Sequence, residues 1–172
     1  MPNFADIPLF PRAHYEIDVG WQYVEMALKE WDGDNSLLVL DPDYQRAHVW
    51  TREQQIAYVE YSLRGGEVGR SIVWNCPSWG YRFDAPIELV DGKQRLEAVR
   101  SFMRGDLPAF GHYYPEWKGQ MRGVVAGLKF RVCSLETREE VLQLYLNINA
   151  GGTPHTAEEL DRVRNMLKDC KG

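Results

Sequence analysis

Apolar residues at Val24, Ala27, Leu28 and Trp31 recur three and four apart, the spacing that lines one face of an α-helix, with Asp18 ahead of them as a candidate N-cap. Gly33-Asp34-Asn35 stops that helix, Leu37 to Leu40 reads as a short buried strand, and Asp41-Pro42-Asp43 breaks it into a polar loop carrying Tyr44, Gln45, Arg46 and His48. Thr51 with Gln54 forms a capping box for a helix burying Ile56, Val59 and Leu63. Ser71 to Trp74 and Tyr81 to Phe83 flank a turn-rich stretch as in a hairpin, and Ile87 to Val90 adds a strand. From about Gln94 to Arg104 a helix collects Leu96, Val99, Phe102 and Met103 on one face. Leu128 to Val132 alternates like a strand. Thr137 with Glu140 and Thr156 with Glu159 open two last helices, the first ending at Gly151-Gly152. Strands and helices mix without a strict βαβ repeat, which predicts an α+β fold: a small mixed sheet flanked by helices. An N-terminal arm of about 15 residues precedes one domain over 16–172.

Composition adds exclusions. No stretch reaches the roughly 18 apolar residues of a membrane span, and the N-terminus has no basic start followed by an apolar run. Cys76, Cys133 and Cys170 are widely spaced and form no CxxC, which points to reduced thiols and a cytoplasmic protein. Net charge is −5, yet residues 91–138 carry nine Lys/Arg against five Asp/Glu. That basic segment suits an anionic ligand; a solvated face balanced by acidic neighbours fits the charge equally well.

The basic segment begins at Asp91-Gly92-Lys93-Gln94-Arg95, a strand-loop-helix turn. The leading N–H groups of a helix lack internal partners and the dipole there is positive, so such a turn seats phosphate. Gly92 lets the backbone approach, Lys93 adds a point charge, Gln94 a neutral donor and Arg95 a bidentate fork. The bland alternative is that Asp91 caps the helix with Gln94 while Lys93 and Arg95 are merely solvated.

Three motifs in order, Asp41-Pro42-Asp43-Tyr44-Gln45-Arg46 with Val49-Trp50-Thr51, then Asp91 to Leu96, then Asn147-Ile148-Asn149 with Gly152-Thr153-Pro154, resemble the GmrSD-type family over residues 16 to 163. That family is the N-terminal domain of modification-dependent restriction systems, with a DGQQR motif on a ParB/sulfiredoxin-like fold. The resemblance implies nucleotide binding, with nucleotide hydrolysis in some members and cooperation with a nuclease half in others; for this chain the expectation is a hydrolase of a nucleoside triphosphate or phosphodiester, with nucleotide and DNA as candidate partners. Asp91, Gly92, Gln94 and Arg95 match the signature, and Lys93 stands where the family usually has Gln. Arg46 and Asn149 are implied to face the same pocket, Gln45 of the first motif joins the phosphate-binding set, and His48, which follows Arg46, either enters the pocket or makes a loop hydrogen bond. Asp91, Gln94 and Arg95 are the implied catalytic set, with Asp91 binding magnesium or orienting water. The C-terminal nuclease domain of larger members has no counterpart here, which leaves open a non-catalytic module that binds another protein, within restriction or anti-restriction.

Other chemistries are weaker. Sulfiredoxin needs a cysteine where Lys93 stands. Gly92 and Arg95 keep the GxxR spacing of ParB, without its helix-turn-helix reader. Asp84, Asp91 and Lys93 loosely match a metal-dependent nuclease pattern. His14, His48, His112 and His155 share no ligand spacing. The aromatic series Trp74, Trp79, Tyr81, Phe83, Tyr113, Tyr114 and Trp117 can stack bases or fill the core, and the loop from Ala109 to Gly123 is a candidate lid.

Overall fold

Leu128, Phe130 and Val132 are buried between half-exposed Lys129 and Arg131, the alternation of a strand whose two faces meet different neighbours. The structure, a computed structural model, describes residues 13–33, 37–45, 50–81, 85–121, 126–149 and 157–170. Within them a five-stranded mixed sheet runs β1-β5-β3-β4-β2, from β1 (Tyr15–Gly20), β2 (Leu38–Val39), β3 (Ser71–Asn75), β4 (Ile87–Asp91) and β5 (Gly127–Cys133). β1 pairs antiparallel with β5, β5 parallel with β3, β3 antiparallel with β4, and β4 parallel with β2.

Helices cover both faces. On one, α1 (Val24–Asp32), α2 (Arg52–Leu63) and α3 (Lys93–Arg104) press Val24, Leu28, Val59, Leu96, Val99 and Phe102 onto Ile72, Trp74, Leu89, Leu128 and Phe130. On the other, α4 (Arg138–Asn149) and α5 (Ala157–Asp169) bring Val141, Leu142, Tyr145 and Val163 against Tyr44, Val90 and Cys133. Each large side chain so buried stabilises the fold by about 1.5–3 kcal/mol relative to exposure. The one buried asparagine of β3 is fully used: Asn75 Nδ2 donates to Leu135 O at 3.2 Å and Asn75 Oδ1 accepts from Leu135 N at 2.8 Å, fixing the link from β5 to α4.

The capping boxes set helix starts as expected. Gln54 N donates to Thr51 Oγ1 at 3.3 Å and Thr51 N to Gln54 Oε1 at 2.9 Å. Thr137 and Glu140 make the same reciprocal pair ahead of α4.

Three expectations need correction. Asp18 caps no helix; it lies in β1 opposite Lys129, and α1 starts at Val24 after a 3-10 turn over Trp21–Tyr23 with no side-chain cap. The sheet edge offered by β5 claims the Tyr15 to Val19 alternation for a strand. β2 is two residues long and half-buried, because it pairs on one side only. The antiparallel neighbour of β3 is β4; Tyr81 is an exposed turn residue, and Arg82 and Phe83 lie outside the described residues. The expected helix stop at Gly151-Gly152 and the cap at Thr156 also lie outside them, although α5 itself is present. No helix of the described residues is long and apolar enough to cross a membrane.

Candidate functional site

β4 runs straight into α3 through a single residue, so the geometry of Gly92 decides where the first turn of the helix points. Gly92 takes φ +100°, a left-handed conformation that side-chain-bearing residues rarely adopt. A Cβ there would stand 2.7 Å from Ile72 Cδ1 and 3.2 Å from Ile72 Cα. The position therefore demands glycine twice, for conformation and for space. The first turn of α3 contains no carboxylate.

A bulge prepares the residue before it. Trp74 pairs with Leu89 and Val73 with Asp91, which leaves Val90 as the extra residue of β4. The strand turns, Val90 enters the core beneath α4, and Asp91 emerges on that same face beside Val73. There it lines a cavity of about 350 Å3 with Ser71, Arg131, Asn147 and Ile148. The second and third motifs meet in this cavity.

Arg95, one turn along α3, donates from Nη2 to Asp91 Oδ2 at 2.6 Å, and both side chains are about three-quarters buried. Its Nε is buried with no hydrogen-bond partner. Lys93 pairs with Asp41 of the first motif loop, and Gln94 Oε1 accepts from Trp50 N at 3.0 Å. Gln45 Nε2 donates to Leu89 O on β4. Asp91 is therefore not the helix cap that the bland sequence reading supposed: Gly92 holds the N-cap position, and the Asp91 carboxylate faces the Arg95 guanidinium.

The first motif loop is anchored on its far side as well. Tyr44 is fully buried, its hydroxyl donates to Glu88 Oε2 at 3.3 Å, and the Arg138 guanidinium lies 4.8 Å over its ring. Burial, reinforced by Glu88, pushes the Tyr44 phenol far above its ordinary range, and burial raises Glu88 too against the pull of Arg138. Arg138 also pairs with Asp43, and Arg162 Nη2 donates to Tyr44 O and Gln45 O at 3.2 Å each. Sequence reasoning missed Glu88, Arg138 and Arg162, and placed Asp41 in the first motif without its pairing to Lys93. Their partners lie 44 to 118 residues away, so no local spacing marks them.

Of the expected site residues, Asp91, Gly92, Lys93, Gln94, Arg95 and Gln45 gather at this strand end. Asn149 Nδ2 donates to Tyr145 O at 2.7 Å along its own helix, and Asn147 is the asparagine that lines the cavity. Arg46 and His48 lie outside the described residues, as does Asp84 of the nuclease pattern. Among the described residues no group of three carboxylate, imidazole or thiol side chains is placed to hold a metal ion. Cys76, Cys133 and Cys170 are unbridged. The Ala109 to Gly123 loop, described as far as Met121, packs Tyr114 on Phe102 near the C-terminal end of α3, a helix about 18 Å long, and so does not cover the Gly92 turn.

The family model of the GmrSD restriction endonuclease N-terminal domain matches residues 28–125, which spans the first two motifs and leaves the third beyond it. No curated protein and no solved structure matches the chain.

Proposed function

The chain belongs to the GmrSD restriction endonuclease N-terminal domain family, and from that premise we propose that it binds the phosphates of a nucleotide at the Gly92 turn and hydrolyses a nucleoside triphosphate or phosphodiester, on a ParB/sulfiredoxin-like fold. One observation carries the reading. Two cations, Lys93 and Arg95, stand on a carboxylate-free helix start behind a glycine that no Cβ can replace, each held by an aspartate, Asp41 or Asp91. Those aspartates stand in for the ligand: a phosphate oxygen offers the same charge and acceptor geometry, and the helix N–H groups add donors that a side-chain carboxylate does not reach.

In this reading Arg95 forks two phosphate oxygens and Lys93 neutralises a third. Gln94 keeps its link to Trp50 and so fixes the first motif loop beside the ligand. Asp91, released from Arg95, faces the cavity it shares with Asn147 and orients water there. Among the described residues the donor set offers magnesium one carboxylate, Asp91, which fits the ion only as one carried by the substrate. Asp91 would then be the residue to hold it, and the ion would supply charge neutralisation to the phosphate. The restriction family makes DNA and a nuclease chain the partners to test.

A second reading keeps the fold and removes turnover: a non-catalytic module acting through another protein. The closed Asp41–Lys93 and Asp91–Arg95 pairs favour it, because a ligand must displace both. A thermal-shift panel of nucleotides with and without magnesium, followed by phosphate-release and DNA-nicking assays, separates the two. Arg95→Ala should weaken nucleotide binding by about 1.5–3 kcal/mol, the contribution of a charged hydrogen bond. Unchanged affinity in calorimetry would remove the phosphate cradle.

A further inference from the structure

At the other end of α3 the aromatic loop encloses a pocket of about 330 Å3 walled by Leu63, Phe102, Phe110, Tyr114, Trp117 and Met121. Phe110 and Trp117 remain exposed at 36% and 44%, with ring centroids 6.1 Å apart at 71°. Phe110 is held at φ +50° and Gly111 at φ +79°, inside a tight turn closed by the Ala109–His112 bridge. Two left-handed residues in such a turn call for Asn or Gly, and phenylalanine there is strained.

Three contacts hold the ring in place despite that strain. Phe110 N donates to Glu60 Oε1 at 2.7 Å, the Arg64 guanidinium lies 4.9 Å over the ring, and Trp117 stands edge-on to it. Strain retained by the surrounding structure to display an exposed aromatic marks a functional position. Charge narrows the occupant. Glu60 is engaged by Phe110 N and Glu116 by Tyr113 N at 2.6 Å, whereas Arg64 and Lys118 have no carboxylate partner among the described residues. Among the described residues the rim thus presents two cations without a carboxylate partner, Arg64 and Lys118, beside two carboxylates already taken by backbone N–H groups, and the walls are aromatic. Gln120 adds an amide that can donate to and accept from a polar ring edge.

We propose that this pocket takes an unpaired nucleobase together with its phosphate, the base stacking on Trp117 with Phe110 walling its side and the phosphate meeting Lys118 and Arg64. The pocket lies at the opposite end of α3 from Gly92, so this assignment stands independently of the phosphate reading. Base-on-aromatic stacking needs a free π-face, which duplex DNA withholds.

The test is anisotropy with a labelled single-stranded oligothymidylate of about 8 nucleotides, competed by the matching duplex and by thymidine monophosphate. The single strand should bind, and Trp117→Ala should weaken it on the order of 10- to 100-fold. Phe110→Asn, which suits the left-handed turn, should weaken it while leaving the melting temperature in place. Lys118→Gln should lower the slope of log affinity against log salt by about 0.7. Competition by the mononucleotide at comparable concentration would support the pocket and identify free nucleotide as its source. Equal single-strand affinity in wild type, Trp117→Ala and Phe110→Asn would overturn the assignment, as would absence of single-strand binding or a preference for duplex.

Discussion

Gly92 and Phe110 both occupy left-handed backbone at opposite ends of the same helix region, and they could hardly be more different choices for it. At Gly92 the residue type agrees with the conformation and with the space allowed by Ile72. At Phe110 the residue type opposes the conformation, and Glu60, Arg64 and Trp117 must hold it. Agreement between local sequence and local backbone makes a site legible in advance, as the Asp91-Gly92 turn was. Disagreement is invisible in sequence and becomes informative only when the backbone is known.

The sharpest way to break the Gly92 half of this contrast is Gly92→Ala. The new methyl meets Ile72 at 2.7 Å and the left-handed φ adds strain, so stability in urea should fall by about 2–4 kcal/mol. A loss below about 1 kcal/mol would show that the turn relaxes easily and that glycine serves some other end.

Asp91→Asn comes next and separates the two readings of the site. Asparagine keeps an oxygen for Arg95 but loses the charge, and the pair is partly exposed, so stability should fall by only about 1 kcal/mol. Phosphate or nick release should fall about 100-fold or more if Asp91 orients water. Equal turnover in both proteins would take Asp91 out of catalysis, and no turnover in either would favour the binding module.

The helices were legible where caps are local: Thr51 with Gln54 and Thr137 with Glu140 set the starts of α2 and α4 from side chains three residues apart. β3, β4 and β5 followed from their β-branched and alternating residues. β1 was missed although Tyr15, Ile17 and Val19 alternate with Glu16 and Asp18, because what makes it a strand is the edge of β5 more than 100 residues away. The bulge at Val90 was equally hidden. It decides which face Asp91 takes, and it depends on register against β3 rather than on residue type. At the site, the loop residues could be read from chemistry, whereas the clamps Asp41, Arg138 and Arg162 required the folded partners.

A smaller effect tests how β4 supports the Gly92 end. Burial raises the folded-state pKa of Glu88 above the usual 4.5. With the folded value above the unfolded one, the folded state binds more protons between them. The contribution of Glu88 to stability is therefore greatest below 4.5 and is lost as pH rises through the folded value. Glu88→Gln should flatten this decline, since its amide still accepts from Tyr44. Chemical denaturation of both proteins across the acid range measures it, and parallel curves would mean that Arg138 offsets the burial fully.

The smallest stability change is expected at Phe110, and it sharpens the contrast most. Phe110→Asn removes about 0.5–1 kcal/mol of cation–π attraction from Arg64 and a similar contribution from the Trp117 edge contact. It also relieves on the order of 1–2 kcal/mol of left-handed strain, because asparagine hydrogen-bonds its own backbone and tolerates that region. The two nearly cancel, and the Glu60 bond to the residue 110 N–H is untouched by the substitution. Unfolding free energies from urea titrations of wild type and Phe110→Asn should agree to within about 1 kcal/mol, against the severalfold larger loss at Gly92→Ala. A destabilisation as large as that of Gly92→Ala would make Phe110 a packing residue whose strain the core requires, and the difference between the two left-handed positions would then be one of degree only.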